Sequence, residues 1–141
     1  MKNIAQIIEY LYPNAIPLDD FIVYDDGKNV IIKLWKVKDE NGDPIPKPSQ
    51  QILETNELPA AKFIKKILFK QYARNEVAAF DDQTIQHRDQ KETDGVTPDL
   101  SEAEYQQVLS TKQDVRAEFK AKRNLINAAL TIQEVESITW K

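Results

Sequence analysis

An Asp-Gly turn between two runs of β-branched and aromatic residues is the feature that most constrains this chain. Phe21-Ile22-Val23-Tyr24 and Asn29 to Val37 flank Asp25-Asp26-Gly27-Lys28. A two-residue hairpin turn needs positive φ at its centre, which glycine adopts without steric conflict, and the flanking residue types favour a pleated backbone. The segment therefore predicts an antiparallel hairpin. Strict alternation puts Val30, Ile32 and Leu34 on one face of the second strand, and Ile31, Lys33, Trp35 and Val37 on the other. One face is expected to lie on the first helix, and the other to be partly exposed or covered by a later helix. A second turn, Glu40-Asn41-Gly42-Asp43, can return a very short third strand around Ile45 onto Val37, with Pro44 and Pro46 confining it to an edge.

The rest of the chain has a helical period. Ile4, Ile7, Ile8 and Leu11 form an i, i+3, i+4, i+7 stripe, with Asn3 as a candidate N-cap and Pro13 as its stop. Pro44, Pro46 and Pro48 form a stiff extended segment that reads as a boundary, and Ser49 can cap a short helix to about Thr55. Pro59 suits a first helical turn, followed by the apolar side Ala60, Phe63, Ile64, Ile67, Leu68 and Tyr72. Ser101 and Glu104 form a capping box ahead of Tyr105, Val108, Leu109, Val115, Phe119, Ile126 and Leu130. Lys112, Arg116 and Arg123 interrupt that stripe, so it is not a clean coiled-coil seam. Thr131 and Glu134 offer a second box before Val135, Ile138 and Trp140, a piece that fits a short helix or a terminal strand, with helix preferred.

The expected fold class is α+β: a small N-terminal helix plus an antiparallel hairpin of two to three strands, then a mainly helical C-terminal part with a long amphipathic helix. The expected organisation is a small α/β head over 1–47 and a helical region over 48–141. The latter divides into a helix over 59–80, a polar loop over 81–98, a long helix over 101–130 and a short helix over 132–139.

Composition narrows the function classes. The chain has 141 residues and a net charge of −4, the wrong sign for a nucleic-acid binder that must displace counterions from phosphates. The lysines from Lys62 to Lys70 read as a solvated helix face beside an apolar one. Cysteine is absent, which excludes disulfides and thiolate metal sites. Gln6, Glu9 and Pro13 break the N-terminal apolar stretch, so neither a signal peptide nor a membrane span is expected, and a cytoplasmic protein is. The three glycines are not clustered, so no phosphate-binding loop is expected. His87, in a polar stretch with no second histidine, reads as a solvated surface residue. The pairs Asp19-Asp20, Asp25-Asp26 and Asp81-Asp82 read as turn chemistry rather than a metal site, because Asp side chains bond nearby backbone. No catalytic, cofactor-binding or metal-ligating residue is assigned, and the chain is expected not to be an enzyme.

The aromatics carry the functional expectation. Most should be core in so small a head, but Tyr and Trp also anchor interfaces. Tyr12, Tyr24, Trp35, Phe63, Ile67, Tyr105 and Phe119 are the candidate partner-binding residues.

The N-terminal third also carries an ordered set of motifs. A short helix ends in Tyr12-Pro13-Asn14-Ala15; then come Asp20-Phe21, Asp25-Asp26-Gly27, Ile32-Lys33-Leu34-Trp35, and finally Pro44, Pro46 and Pro48-Ser49 entering a helix. This pattern resembles the XkdW-like proteins of phage tail operons and is similar, more loosely, to tail-fibre assembly chaperones. The resemblance covers about residues 4 to 55. It implies a protein that binds a fibre or tail polypeptide in the host cytoplasm and assists its folding or trimerisation, without cofactor or catalytic residues. A structural accessory component of a phage-like tail or baseplate is the alternative. No nucleic acid or membrane partner is expected, and pairing of the long helix with another copy of the chain stays open.

Overall fold

A computed structural model describes residues 3–141, so the first two residues of the expected 1–47 head lie outside the described residues. The element order is α1 (Ile4–Leu11), β1 (Phe21–Asp25), β2 (Val30–Trp35), α2 (Gln50–Ala78), α3 (Asp81–Glu92), α4 (Glu102–Ala128) and α5 (Ile132–Ser137). This is the expected α+β arrangement of helix, hairpin and mainly helical remainder. The third strand is reduced to an isolated bridge between Lys38 and Pro44.

The chain falls into two compact units, Met1–Lys65 with Ala129–Ser137, and Lys66–Ala128 with Ile138–Lys141. This division differs from the expected one at 47/48, because α2 supplies its first half to one unit and its second half to the other. In the first unit Ile4, Ile7 and Ile8 of α1 bury against Phe21, Leu53 and Ala60, with Val23, Val30, Ile32 and Trp35 packed on that core. The stripe spacing explains this: an eight-residue helix cannot persist alone and is held by its apolar face. Asn3 occupies the N-cap position, but its side chain makes no cap bond.

The hairpin departs from strict alternation. Phe21 pairs with Trp35 and Ile22 with Leu34, but Val23 pairs with Ile32, so Lys33 is an extra residue at a β-bulge. A bulge shifts every following side chain to the opposite face. Trp35 therefore joins Val30 and Ile32 on the core side, and Leu34 leaves it, correcting the face assignment read from alternation. The turn follows its chemistry. Asp25 Oδ1 accepts from Gly27 N–H at 2.8 Å, and Asp26 Oδ1 accepts from Lys28 and Asn29 N–H at 2.8 and 2.6 Å. Those backbone donors hold the Asp26 carboxyl below the usual range. Gly27 has φ 81°.

Two expectations along α2 and α3 are corrected. Pro59 does not open a helix; it lies inside α2, which starts at Gln50 after a Ser49 cap that accepts from Ile52 N–H at 3.3 Å. The proline removes one helical hydrogen bond, but Leu53 and Ala60, on either side of it, are both buried and hold the helix through that position. The expected polar loop over 81–98 is largely the helix α3 (Asp81–Glu92), followed by a short irregular stretch. Its few apolar residues hid it, since periodicity registers only apolar faces. Polar cross-links secure it instead: Gln86 and Gln90 each donate to Asp99 Oδ2 at 2.8 Å, and Lys91 donates to Glu102 at 3.1 Å.

The first capping box forms in full, and the second only on the Thr131 side, since Glu134 Oε2 accepts from Leu130 N–H rather than from Thr131 N–H. Ser101 and Glu104 exchange bonds, with Glu104 Oε2 accepting from Ser101 N–H at 2.8 Å and Ser101 Oγ accepting from Glu104 N–H at 3.3 Å. Thr131 Oγ1 accepts from Glu134 N–H at 3.2 Å, and the closing piece is helical rather than a strand. Among the described residues no helix is long and apolar enough to cross a membrane.

Candidate protein-binding surface

The candidate side chains do not form one site. In the first unit the hairpin carries Tyr24 and Trp35, and Tyr12 follows directly on α1. The bulge turns Trp35 inward, where its ring meets Tyr12 edge-on at 5.3 Å and its Nε1 donates to Ile45 O at 2.7 Å. Both rings are half-buried and pack on the core. Tyr24 is on the opposite face, 49% exposed, directly across from Ile31, which is 52% exposed. Lys33, the bulge residue, places its ammonium 5.3 Å from the Tyr24 ring centre. A cation over an aromatic face is attracted by the ring and leaves its edge uncovered. Among the described residues the sheet has two strands, so each has one edge with no further strand beside it. A recess of about 490 Å³ lies beside Tyr12, Pro13, Ala15, Val37 and Ile45.

Phe63, also in the first unit, is half-exposed and packs on Tyr10 at 5.4 Å. Ile67, Tyr105 and Phe119 belong to the second unit. Ile67 is exposed, Tyr105 is half-buried and stacks on His87 at 4.1 Å between ring centres, and Phe119 is half-buried with the Arg123 guanidinium 6.0 Å from its ring.

His87 is not the solvated residue expected. It is 3% exposed, and neither ring nitrogen has a hydrogen-bond partner among the described residues. Glu102 Oε2 lies 3.8 Å from its Nε2, too far for a hydrogen bond. That carboxylate is held below its usual range first by a bond from Gln106 and then by Lys91. The sequence offered no signal for this burial, because a lone histidine among polar residues has no apolar stripe to mark it. Of the acidic pairs, Asp20 and Asp26 cap turns, and Asp81 takes a 2.6 Å bond from Lys112. Among the described residues no group of three or more His, Cys, Asp or Glu side chains is placed to hold a metal ion.

Comparison with known proteins bears on the first unit. Residues 4–62 match the family model described as XkdW protein. The match spans α1, the hairpin, the proline-rich segment and the start of α2, and so supports the resemblance read from the N-terminal motifs. It ties this stretch to a phage-associated family. No curated protein and no solved structure matches the chain. The exposed Tyr24 and Ile31 lie inside the matched stretch; Phe63, Ile67, Tyr105 and Phe119 lie beyond it.

Proposed function

We propose that the chain is a tail-fibre assembly chaperone, a non-catalytic protein that binds an incomplete fibre or tail polypeptide in the host cytoplasm and holds its apolar surface until it folds or trimerises. The observation that supports this reading is the uncovered outer face of the hairpin, with Tyr24 and Ile31 exposed inside the XkdW-matched stretch. A fibre chain awaiting its trimer partners exposes unpaired strands and apolar side chains, which aggregate unless masked. A two-stranded sheet can accept a further strand at its edge, and the Tyr24–Ile31 pair offers side-chain contact beside the added strand.

Co-expression with the fibre or tail polypeptide encoded beside this chain tests the proposal. Soluble trimeric fibre is expected only in the presence of the chain, and Tyr24→Glu with Ile31→Lys is expected to abolish the benefit while leaving the chain folded, since both side chains face solvent. Equal solubility and trimerisation without the chain would overturn the proposal. Mass spectrometry of finished particles gives a second check: a chaperone is absent from them, whereas stoichiometric presence would make the chain a structural component.

A further inference from the structure

A second surface lies in the helical unit, outside the XkdW-matched stretch. A recess of about 480 Å³ has an apolar floor that includes Ala73 and Val77 of α2 and Phe119 of α4. Lys70, Arg74 and Arg116 stand on its rim, all exposed. None of the three makes a hydrogen bond or ion pair among the described residues. The acid on the same rim, Asp81, is already matched by Lys112 at 2.6 Å. Arg123, over the face of Phe119, adds a fourth cation beside the recess. Positive charges gathered around an apolar floor repel one another, and the Asp81 carboxylate on the rim is already engaged by Lys112, so an anionic occupant relieves the repulsion while its apolar part leaves water.

We infer that this recess binds an acidic segment of a protein partner, with an apolar side chain seated on Val77 and Phe119 and flanking carboxylates taken by Lys70, Arg74 and Arg116. The volume suits one or two side chains. A short acidic segment engages the rim locally. A long polyanion such as a nucleic acid meets the repulsion of a chain whose net charge is −4. This inference does not depend on the chaperone reading, because it uses no residue of the matched stretch.

The test is fluorescence anisotropy on the full chain with a fluorescein-labelled peptide in which a central Leu-Phe pair is flanked on each side by two glutamates. Saturable binding is expected. Arg74→Glu with Arg116→Glu should weaken it about tenfold or more, as should exchange of the peptide glutamates for glutamines or of its Leu-Phe pair for alanines. Both arginines are exposed, so circular dichroism should show the charge-reversed chain as helical as the parent. The lysine variant R74K/R116K should retain most of the binding. Absence of binding, binding indifferent to charge reversal, or equal binding by a single-stranded oligonucleotide of the same charge would each overturn the inference.

Discussion

The first unit buries Ile4, Ile7, Ile8, Phe21, Val37, Leu53, Ala60, Ala129 and Val135, while the second buries Phe69, Ala73, His87, Val115 and Ile126. The first has an apolar core collected from helix, hairpin and the start of α2. The second has fewer buried apolar side chains, and one of its buried residues is a histidine whose ring nitrogens have no hydrogen-bond partner among the described residues. It is laced by polar links in compensation: Lys112 to Asp81, Lys91 to Glu102, Gln86 and Gln90 to Asp99, and Trp140 and Lys141 to Glu76. Two ways of holding helices together thus occur in one chain. Apolar burial is indifferent to pH and to modest salt, whereas charge-assisted links respond to both. The chain supplies its own reporters, because Trp35 belongs to the first unit and Trp140 to the second.

Deletion of one buried ring from each unit gives the largest expected effect. Phe21 and Phe69 are each 2% exposed. Phe21→Ala and Phe69→Ala should each cost about 3–5 kcal/mol, the transfer loss plus a cavity. Urea unfolding in single-tryptophan backgrounds should show Phe21→Ala acting first on the Trp35 signal. Phe69→Ala should act first on Trp140, whose ring centre lies 5.5 Å from the Phe69 ring. Equal displacement of both signals by either substitution would break the comparison, and would mean that α2 transmits the full loss from one unit to the other.

The histidine gives an effect of opposite sign. Its nitrogens are buried without a hydrogen-bond partner among the described residues, and a buried polar group left unsatisfied costs about 1–3 kcal/mol. His87→Phe removes that cost and keeps a flat ring against Tyr105, so it should raise the stability seen at Trp140 by about 1 kcal/mol, with Trp35 unchanged. Glu102 keeps its bonds from Lys91 and Gln106 in the variant. A loss of stability would show that the imidazole contributes more than its shape. His87→Ala should instead destabilise, because it leaves a gap under Tyr105.

The same contrast explains what could be read from residues alone. The hairpin, α1 and the Ser101–Glu104 capping box are legible because each has a local rule: Asp-Gly between β-branched runs, an apolar stripe, Ser three residues before Glu; at Thr131–Glu134 the same rule gives the threonine cap but not the reciprocal bond. Lys33 is not recognisable as a bulge residue from sequence, because no residue type at that position marks the bulge. Residues 81–92 lack an apolar stripe, and the links that hold them join polar side chains 9 to 13 residues apart, which no local pattern announces. Pro59 reads as a first-turn residue because proline suits that position, and only the burial of Leu53 and Ala60 shows the helix passing through. Among the candidate binding residues, aromatic character was visible but exposure was not. Tyr24 and Trp35 looked equivalent until the bulge turned one inward.

The smallest effect concerns pH, and it separates the two units most cleanly. In the second unit Glu76 accepts from Lys141 and from Trp140 Nε1, and these bonds, the lysine's first, hold its carboxyl below the usual range. Lys141 is pushed above its usual value by the same bond. A carboxyl with a depressed folded pKa contributes stability that is present above its unfolded pKa and lost as pH falls through the folded one; a raised lysine contributes stability lost only as pH rises through its folded pKa. The C-terminal link is therefore full across neutral pH and weakens on the acid side of the ordinary glutamate range. Acid titration should shift Trp140 emission as that contact loosens, and Glu76→Gln should flatten the shift by leaving nothing to protonate. Trp35 should not follow it, because its ring rests on Tyr12 and its Nε1 bonds a backbone carbonyl that does not titrate in this range. The depressed acid of the first unit, Asp26, holds only its own turn at the far end of the hairpin from Trp35, so Asp26→Asn should leave the acid response at both tryptophans unchanged. If Glu76→Gln flattened both signals together, the two units would share one acid-sensitive contact, and the separation into apolar and polar means of support would fail.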